Sequence, residues 1–252
     1  MEGWPAHSYL VCATERSGST LLCELLAGTG VAGRPEEYFE FLSATGRVRQ
    51  PRGYFPDDAD PEILELLAPL EEPLAAVPWE RRLAEARECG TTPNGVFGSK
   101  MMWAYLPDFL AHGEPEEQLG PLGWVHVERR DTLAQAISLW RAVQTEQWRA
   151  EDRDSGDADH EPVFHAGAIA HLKRRQEEHA AAWRVWFAER GIEPLEIVYE
   201  EFAQDPTPTI CRVLEHIGVP SDGVDVPEPP MRRQSDHRSQ EWVDRFREEV
   251  PA

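Results

Sequence analysis

Between residues 14 and 20 the chain reads Thr-Glu-Arg-Ser-Gly-Ser-Thr. Residues of these types at this spacing suit the holding of an anion. At the start of a helix the first backbone N–H groups have no intrahelical partner, and the helix dipole adds partial positive charge there. Gly18 lets the main chain come close to a ligand. Ser17, Ser19 and Thr20 bring hydroxyl donors, and Arg16 brings a fork of donors for phosphate oxygens. A serine-rich N-cap would use the same residues, so the loop taken alone leaves both readings open. What is absent narrows the chemistry. A Walker-type loop needs a lysine for the β- and γ-phosphates and a hydroxyl for Mg²⁺. Here Leu21 follows Thr20 and no lysine is near. No group of Asp, His and Glu has metal-ligand spacing, so a phosphate donor that needs no metal fits better than ATP or GTP.

The flanking sequence supplies elements to position this loop. Residues 8–14, SYLVCAT, read as a short buried strand. In STLLCELLAGTG the leucines at 21, 22, 25 and 26 share one helical face, and Gly28 or Gly30 suits a left-handed cap. Residues 31–60 are loop-rich. Helices are predicted over 61–69 and 79–89, with a turn at 91–95 leading to a second strand, VFGSKMM. GWVHVE reads as a third strand and residues 129–148 as the helix after it. Residues 150–160 form an acidic loop, 165–189 a long helix, and PLEIVYEEF a fourth strand with its exit loop. Asp205-Pro206 opens a helix that ends at Gly218. Strands alternating with helices predict an α/β fold on a mainly parallel sheet, taken as a single domain over 1–252. Ligands of such sheets collect at the carboxyl ends of the strands, where both the 14–20 loop and the 128–132 loop fall.

Composition excludes several classes. With 46 acidic against 25 basic residues, the formal net charge is −21. Non-specific binding to nucleic acid or to an anionic membrane is not expected. An anionic ligand must be held by local positive groups against the global field. Cys12, Cys23, Cys89 and Cys211 lack metal-ligand spacing and fit a reducing compartment. The N-terminal stretch has neither a basic n-region nor a long apolar run, so no signal peptide, no membrane insertion and a cytoplasmic location are expected.

At this point a family resemblance enters. YLVCATERSGSTLLCELLAGTGVAGRPEEYFE closely resembles the start of the Stf0 family of bacterial sulfotransferases. TPNGVFGSKMMW, RRDTLAQAISLWRAVQTEQW, HAGAIAHL and RQSDHRSQEWVDRF agree further along, in order. The resemblance implies the P-loop-like sulfotransferase fold and 3′-phosphoadenosine 5′-phosphosulfate (PAPS) as sulfuryl donor, with adenosine 3′,5′-bisphosphate (PAP) as product and no metal. Arg16 and the amides of residues 17–20 would then stabilise the leaving phosphate. The 3′-phosphate would be held by Ser138 and by an arginine at the end of the third strand. Arg129 is favoured for that role by the family pattern, and Arg130 by its spacing of eight residues from Ser138. Arg233 and Gln234 match the family's C-terminal motif over the nucleotide, and Arg238 lies nearby. In Pro35-Glu36-Glu37-Tyr38-Phe39, Glu37 matches the family's base, while Glu36 takes the variable position. His165 and His171 are other candidates for that role, and Lys100 is expected to orient donor or acceptor.

The resemblance also implies a small hydroxylated acceptor, first of all trehalose at its 2-position, and a homodimer with the acceptor near the subunit interface. Trp103, Trp140 and Trp148 are candidates for stacking on a sugar, against a default of core packing. A secondary-metabolite or glycolipid hydroxyl is an alternative acceptor, because residues 60–90, 113–123 and 150–162 depart from the family pattern. Two other classes remain to be weighed: a nucleotide kinase or GTPase, disfavoured by the missing Walker lysine, and a non-catalytic nucleotide-binding module.

Overall fold

The computed structural model describes residues 5, 7–40, 50–71, 77–148, 161–228 and 237–250. Among them four strands form one sheet: β1 (His7–Ala13), β2 (Val96–Met102), β3 (Leu122–Glu128) and β4 (Leu195–Val198), in the order β2-β1-β3-β4. Every pairing is parallel, and Val11 lies opposite both Lys100 and Val125. β1 and β2 read as near-continuous apolar runs because both faces of such a sheet are covered. The longer helices are α1 (Ser19–Gly28), α2 (Trp79–Gly90), α3 (Thr132–Thr145), α4 (Ala166–Arg190), α5 (Pro206–His216) and α6 (His237–Glu249). The chain leaves β1 to one side for β2 and to the other for β3. The carboxyl end of β1 is thus the point where the strand order reverses, and a crevice opens there in folds of this kind.

Two apolar clusters hold these layers. The larger packs β1, β2 and β3 against α1, with Trp183, Trp186 and Phe187 of α4 and Ile210, Val213 and Leu214 of α5. The second joins α3, α4 and α6 through Ile137, Trp140, Ile169, Leu172, Trp242 and Phe246, and takes in Tyr54 and Phe55. Trp140 is wholly buried and its Nε1 donates to the Val163 carbonyl at 2.9 Å, so it is a core residue and not a sugar platform.

Several predicted boundaries move, each for a local reason. The helix expected over 129–148 begins at Thr132, because Asp131 caps it by accepting from the Ala134 amide at 2.9 Å. It ends at Thr145, where Glu146 turns left-handed at φ 55°. Arg129, Arg130 and Trp148 therefore lie outside it. The fourth strand stops at Val198, and Tyr199–Phe202 form a single helical turn in place of an extended exit. The helix expected over 61–69 spans Pro61–Glu65. Gly30, at φ 71°, follows the Thr29 cap of α1 in the position foreseen for a left-handed glycine. The acidic loop at 150–160 lies outside the described residues.

Candidate active site

The loop between β1 and α1 places a left-handed glycine before the N-terminus of the helix. Gly18 adopts φ 94°, and a Cβ placed there would stand 2.2 Å from Cδ2 of Tyr199. Only glycine meets both the left-handed backbone and the close ring. Arg16 is also left-handed, at φ 60°, an uncommon state for a side-chain-bearing residue. Three contacts hold it so. Its Nε donates to Ser138 Oγ at 3.0 Å, its Nη1 to the Trp148 carbonyl at 2.7 Å, and its own carbonyl accepts from Arg129 Nη1 at 3.2 Å. Burial, and then the charge of Arg129, pull the Arg16 guanidinium down to about 10. Ser17 is fully buried, and neither its hydroxyl nor the buried Arg129 Nε has a hydrogen-bond partner among the described residues. Buried donors of this kind normally find an acceptor. Two of them beside a helix N-terminus fit an anionic group at this loop.

A carboxylate is tied to the same loop from the β2 side. The Glu36 carbonyl accepts from the Lys100 amide at 2.9 Å and from Ser99 Oγ at 3.0 Å, which pins this segment to the strand. Phe39 then inserts into the core against Phe109 and Trp79, and Glu37 is left at the carboxyl end of the sheet. Lys100 Nζ lies 2.8 Å from Glu37 Oε1 and donates to Thr20 Oγ1 at 3.1 Å. Tyr105 OH donates to Glu37 Oε2 at 2.6 Å. A continuous path thus runs from the anion loop through Lys100 to Glu37 and Tyr105. Burial alone would lower the Lys100 value, but Glu37 outweighs it and raises the ammonium above its ordinary range. Lys100 therefore stays charged. An ammonium and a phenol directed at Glu37 both favour its carboxylate form, the form that accepts a proton.

The two arginines of the β3 exit part company. Arg129 faces the loop, with its guanidinium 4.8 Å from the centroid of the Tyr199 ring. Arg130 turns to solvent and pairs with Glu201 at 2.5 Å, both side chains more than three-fifths exposed. Arg16, Arg129 and Ser138 are thus brought together, and Arg130 is not. Arg233 and Gln234 lie outside the described residues. Arg238 pairs with Glu161 at 3.0 Å, an exposed contact.

Sequence reasoning missed the residues that brace the loop from behind. Glu15 is 5% exposed. Its Oε1 accepts from Arg175 Nη1 at 3.0 Å. Its carbonyl accepts from Gln135 Nε2 at 2.7 Å and Gln176 Nε2 at 3.0 Å, while Gln135 Nε2 also reaches Thr14 Oγ1 at 2.9 Å. Burial pushes the Glu15 carboxyl up, but Arg175 and His179 prevail and hold it below the usual range. Arg175 lies 5.0 Å from the Tyr54 ring centroid, and Tyr54 stacks on Trp148 at 5.9 Å. Arg16, Trp148, Tyr54, Arg175 and Glu15 therefore close a circuit of contacts around the loop. Each is polar or aromatic, and only the packing of α3 and α4 against β1 turns them inward.

The other candidates have structural work. Trp103 packs edge-on against Trp183 at 5.2 Å, beside the carboxyl end of β2. His165 caps α4, its Nδ1 accepting from the Ala168 amide at 3.1 Å. His171 bonds the Tyr54 carbonyl through Nε2 at 3.1 Å and stacks on Phe55. Both rings are thus engaged by α4 and by the Tyr54–Phe55 segment. Asp60, Glu62 and His165 cluster at the surface. The cap bond leaves the proton on His165 Nε2, the nitrogen that faces Glu62, which opposes metal ligation there.

Comparison with known proteins bears on this geometry. A family model described as Stf0 sulphotransferase matches residues 8–249. Trehalose 2-sulfotransferase from Mycobacterium tuberculosis is 43% identical over 261 residues, covering 96% of this chain and 95% of that protein. Its namesake from Mycolicibacterium smegmatis is 40% identical over 264 residues, with the same coverage. A sulfotransferase crystal structure from Alicyclobacillus acidocaldarius superposes with a TM-score of 0.51 at 16% identity, over 94% of this chain and 90% of that one, which speaks to the fold alone.

Proposed function

The chain belongs to the Stf0 sulphotransferase family and is a sulfotransferase, and from that premise we propose that it moves the sulfuryl group of PAPS to a hydroxyl of trehalose, at the 2-position, with Glu37 as general base. The observation that carries this reading is the path Thr20–Lys100–Glu37–Tyr105. It joins an anion-binding loop directly to a carboxylate held in its proton-accepting form.

The chemistry is an in-line displacement at sulfur. The acceptor oxygen forms a new S–O bond as the bond from sulfur to the nucleotide's 5′-phosphate oxygen breaks. Glu37 takes the proton that the acceptor hydroxyl loses. Negative charge grows on the leaving phosphate, where the α1 amides, the Ser17 hydroxyl and Arg16 supply fixed positive poles. Lys100 keeps a permanent charge between the loop and the base, so it serves both the sulfuryl oxygens and the carboxylate. Arg129 and Ser138 serve the 3′-phosphate, because both meet Arg16 while Arg130 is committed to Glu201. Arg233 and Gln234 remain candidates for covering the nucleotide. A cytoplasmic homodimer belongs to the same reading, to be checked by light scattering.

Trehalose is preferred to another hydroxyl because two relatives at 40–43% identity, matched over nearly their whole length, carry that name. The test is transfer from sulfur-labelled PAPS, without added metal, to trehalose and to a panel of glycans and hydroxylated metabolites. Sulfated trehalose, placed at the 2-position by mass spectrometry and NMR, is the expected product. Transfer only to another acceptor would discard trehalose and keep the mechanism. Absence of both transfer and PAPS binding would overturn the whole reading.

A further inference from the structure

Resting on the assignment of Arg129 to the donor's 3′-phosphate, we propose that Glu200 is a positioning residue that makes this site selective for a 3′-phosphorylated nucleotide. Its carboxylate spans two successive main-chain donors on the loop that leaves β3. Oε2 accepts from the Arg130 amide at 3.2 Å and Oε1 from the Asp131 amide at 3.1 Å. These amides lie after the last β3 residue, Glu128, and before α3 begins at Thr132, so no ladder or helix bond would otherwise fix them. Arg129 sits between the two restraints. On one side Glu128 is held in register opposite Val198, and on the other the Glu200 clip begins.

The side chain of Arg129 is fixed by the residue next to Glu200. The Tyr199 ring lies under its guanidinium and fills the space beside Gly18. The single turn Tyr199–Phe202 therefore holds Arg129 at its backbone through Glu200 and at its side chain through Tyr199. The same turn touches the 5′ loop at Gly18, so one short element sets the separation of the two phosphate sites. Burial would raise the Glu200 carboxyl, but the Asp131 and Arg130 amides hold it below its ordinary range, as the clip requires. Glu201, one residue on, directs its side chain to the exposed pair with Arg130 and is a built-in control.

The experiment compares the binding of PAP with that of adenosine 5′-monophosphate, which lacks the 3′-phosphate, by titration calorimetry. Glu200→Ala and Glu200→Gln are set against Glu201→Ala and the parent protein, with circular dichroism to confirm folding. Glu200→Ala is expected to reduce the preference for PAP by roughly tenfold or more, the scale of losing charge-assisted bonds, while affinity for adenosine 5′-monophosphate stays within about twofold. Glu200→Gln keeps one acceptor oxygen and should fall between, and it remains informative if the alanine variant folds poorly. Glu201→Ala should leave the preference unchanged. If Glu200→Ala or Glu200→Gln weakens both nucleotides alike, Glu200 is merely a structural contact and the proposal fails. If the parent protein itself does not distinguish the two nucleotides, the 3′-phosphate reading beneath the proposal fails instead.

Discussion

Replacing Glu37 with Gln separates proton transfer from architecture, because the proposed base is also bonded to Lys100 and Tyr105. A positioned general base contributes about 10²- to 10⁴-fold to a rate, so kcat should fall by that factor. The same change strands the Lys100 ammonium, whose side chain is 3% exposed beside a Glu37 side chain at 14%. Breaking a buried ion pair by removing one partner costs about 3–5 kcal/mol. Gln keeps an oxygen for Lys100 or Tyr105, so about 2–3 kcal/mol is expected here. For a chain of this size that corresponds to a Tm lower by roughly 4–12 °C. Calorimetric Tm, kcat and PAP affinity would be measured on Glu37→Gln and on Glu37→Gln/Lys100→Met. PAP should still bind to the single variant, because Glu37 reaches Thr20 of the loop through Lys100. The double variant removes the stranded cation and should recover much of the lost Tm without recovering kcat. A single variant within about threefold of the parent rate would remove Glu37 as base, since it lies below the range for base loss. Recovery of kcat together with Tm in the double variant would show that the lost rate was lost stability.

Gly18→Ala should abolish detectable transfer at ordinary donor concentrations, because the new Cβ would overlap Tyr199 and the backbone lies at φ 94°; parent-like donor KM in that variant would contradict the loop geometry. Arg129→Ala should lose PAP affinity by about tenfold or more, whereas Arg130→Ala, removing an exposed pair, should change it by less than about twofold; the reverse order in calorimetry would exchange their roles. The Glu15 carboxyl is held low by Arg175 and His179 against its burial, so its contribution to stability is present above the ordinary carboxylate value of 4.5 and is lost as pH falls through the lower folded value. Tm followed from about pH 3 to 7 should therefore show Glu15→Gln less stable than the parent at neutral pH and converging with it in acid, and parallel curves would refute the Glu15–Arg175 contribution.

What the sequence discloses follows from the range of the interactions concerned. β1, α1 and the anion loop are legible because a buried strand, a leucine-faced helix and a turn with one glycine are local signals. The Glu37 assignment needs a family pattern, since a glutamate in an acidic loop otherwise reads as solvated. Its contact with Lys100 joins positions 63 residues apart through the Glu36 bridge to β2, and no local period encodes that. Glu15 illustrates the opposite failure. Beside Arg16 it reads as an exposed charge, and only α3 and α4, closing from more than a hundred residues away, bury it among Arg175, Gln135 and Gln176. The choice between Arg129 and Arg130 was open in the sequence because both follow β3 directly. Their different settings depend on Tyr199 and Glu201, which lie on a turn that reads as the exit of a strand.

The excess of acidic residues and the anionic donor of the proposed reaction are reconciled by distance. Exposed charges are screened beyond about 8 Å at physiological ionic strength, so a net charge of −21 weighs little against groups packed around one buried loop. At that loop the fold sets Arg16 beside Arg129, and burial, with their mutual repulsion added, brings Arg16 down to about 10. Even at about 10, Arg16 is charged in all but roughly one molecule in a thousand at neutral pH. It can clamp the leaving phosphate but cannot collect the proton that the acceptor gives up. On the proposed reading that proton must go to a group already deprotonated and close to the sulfuryl position. Glu37 is the carboxylate that Lys100 ties to the loop, and the bond from Tyr105 keeps it in the form that accepts.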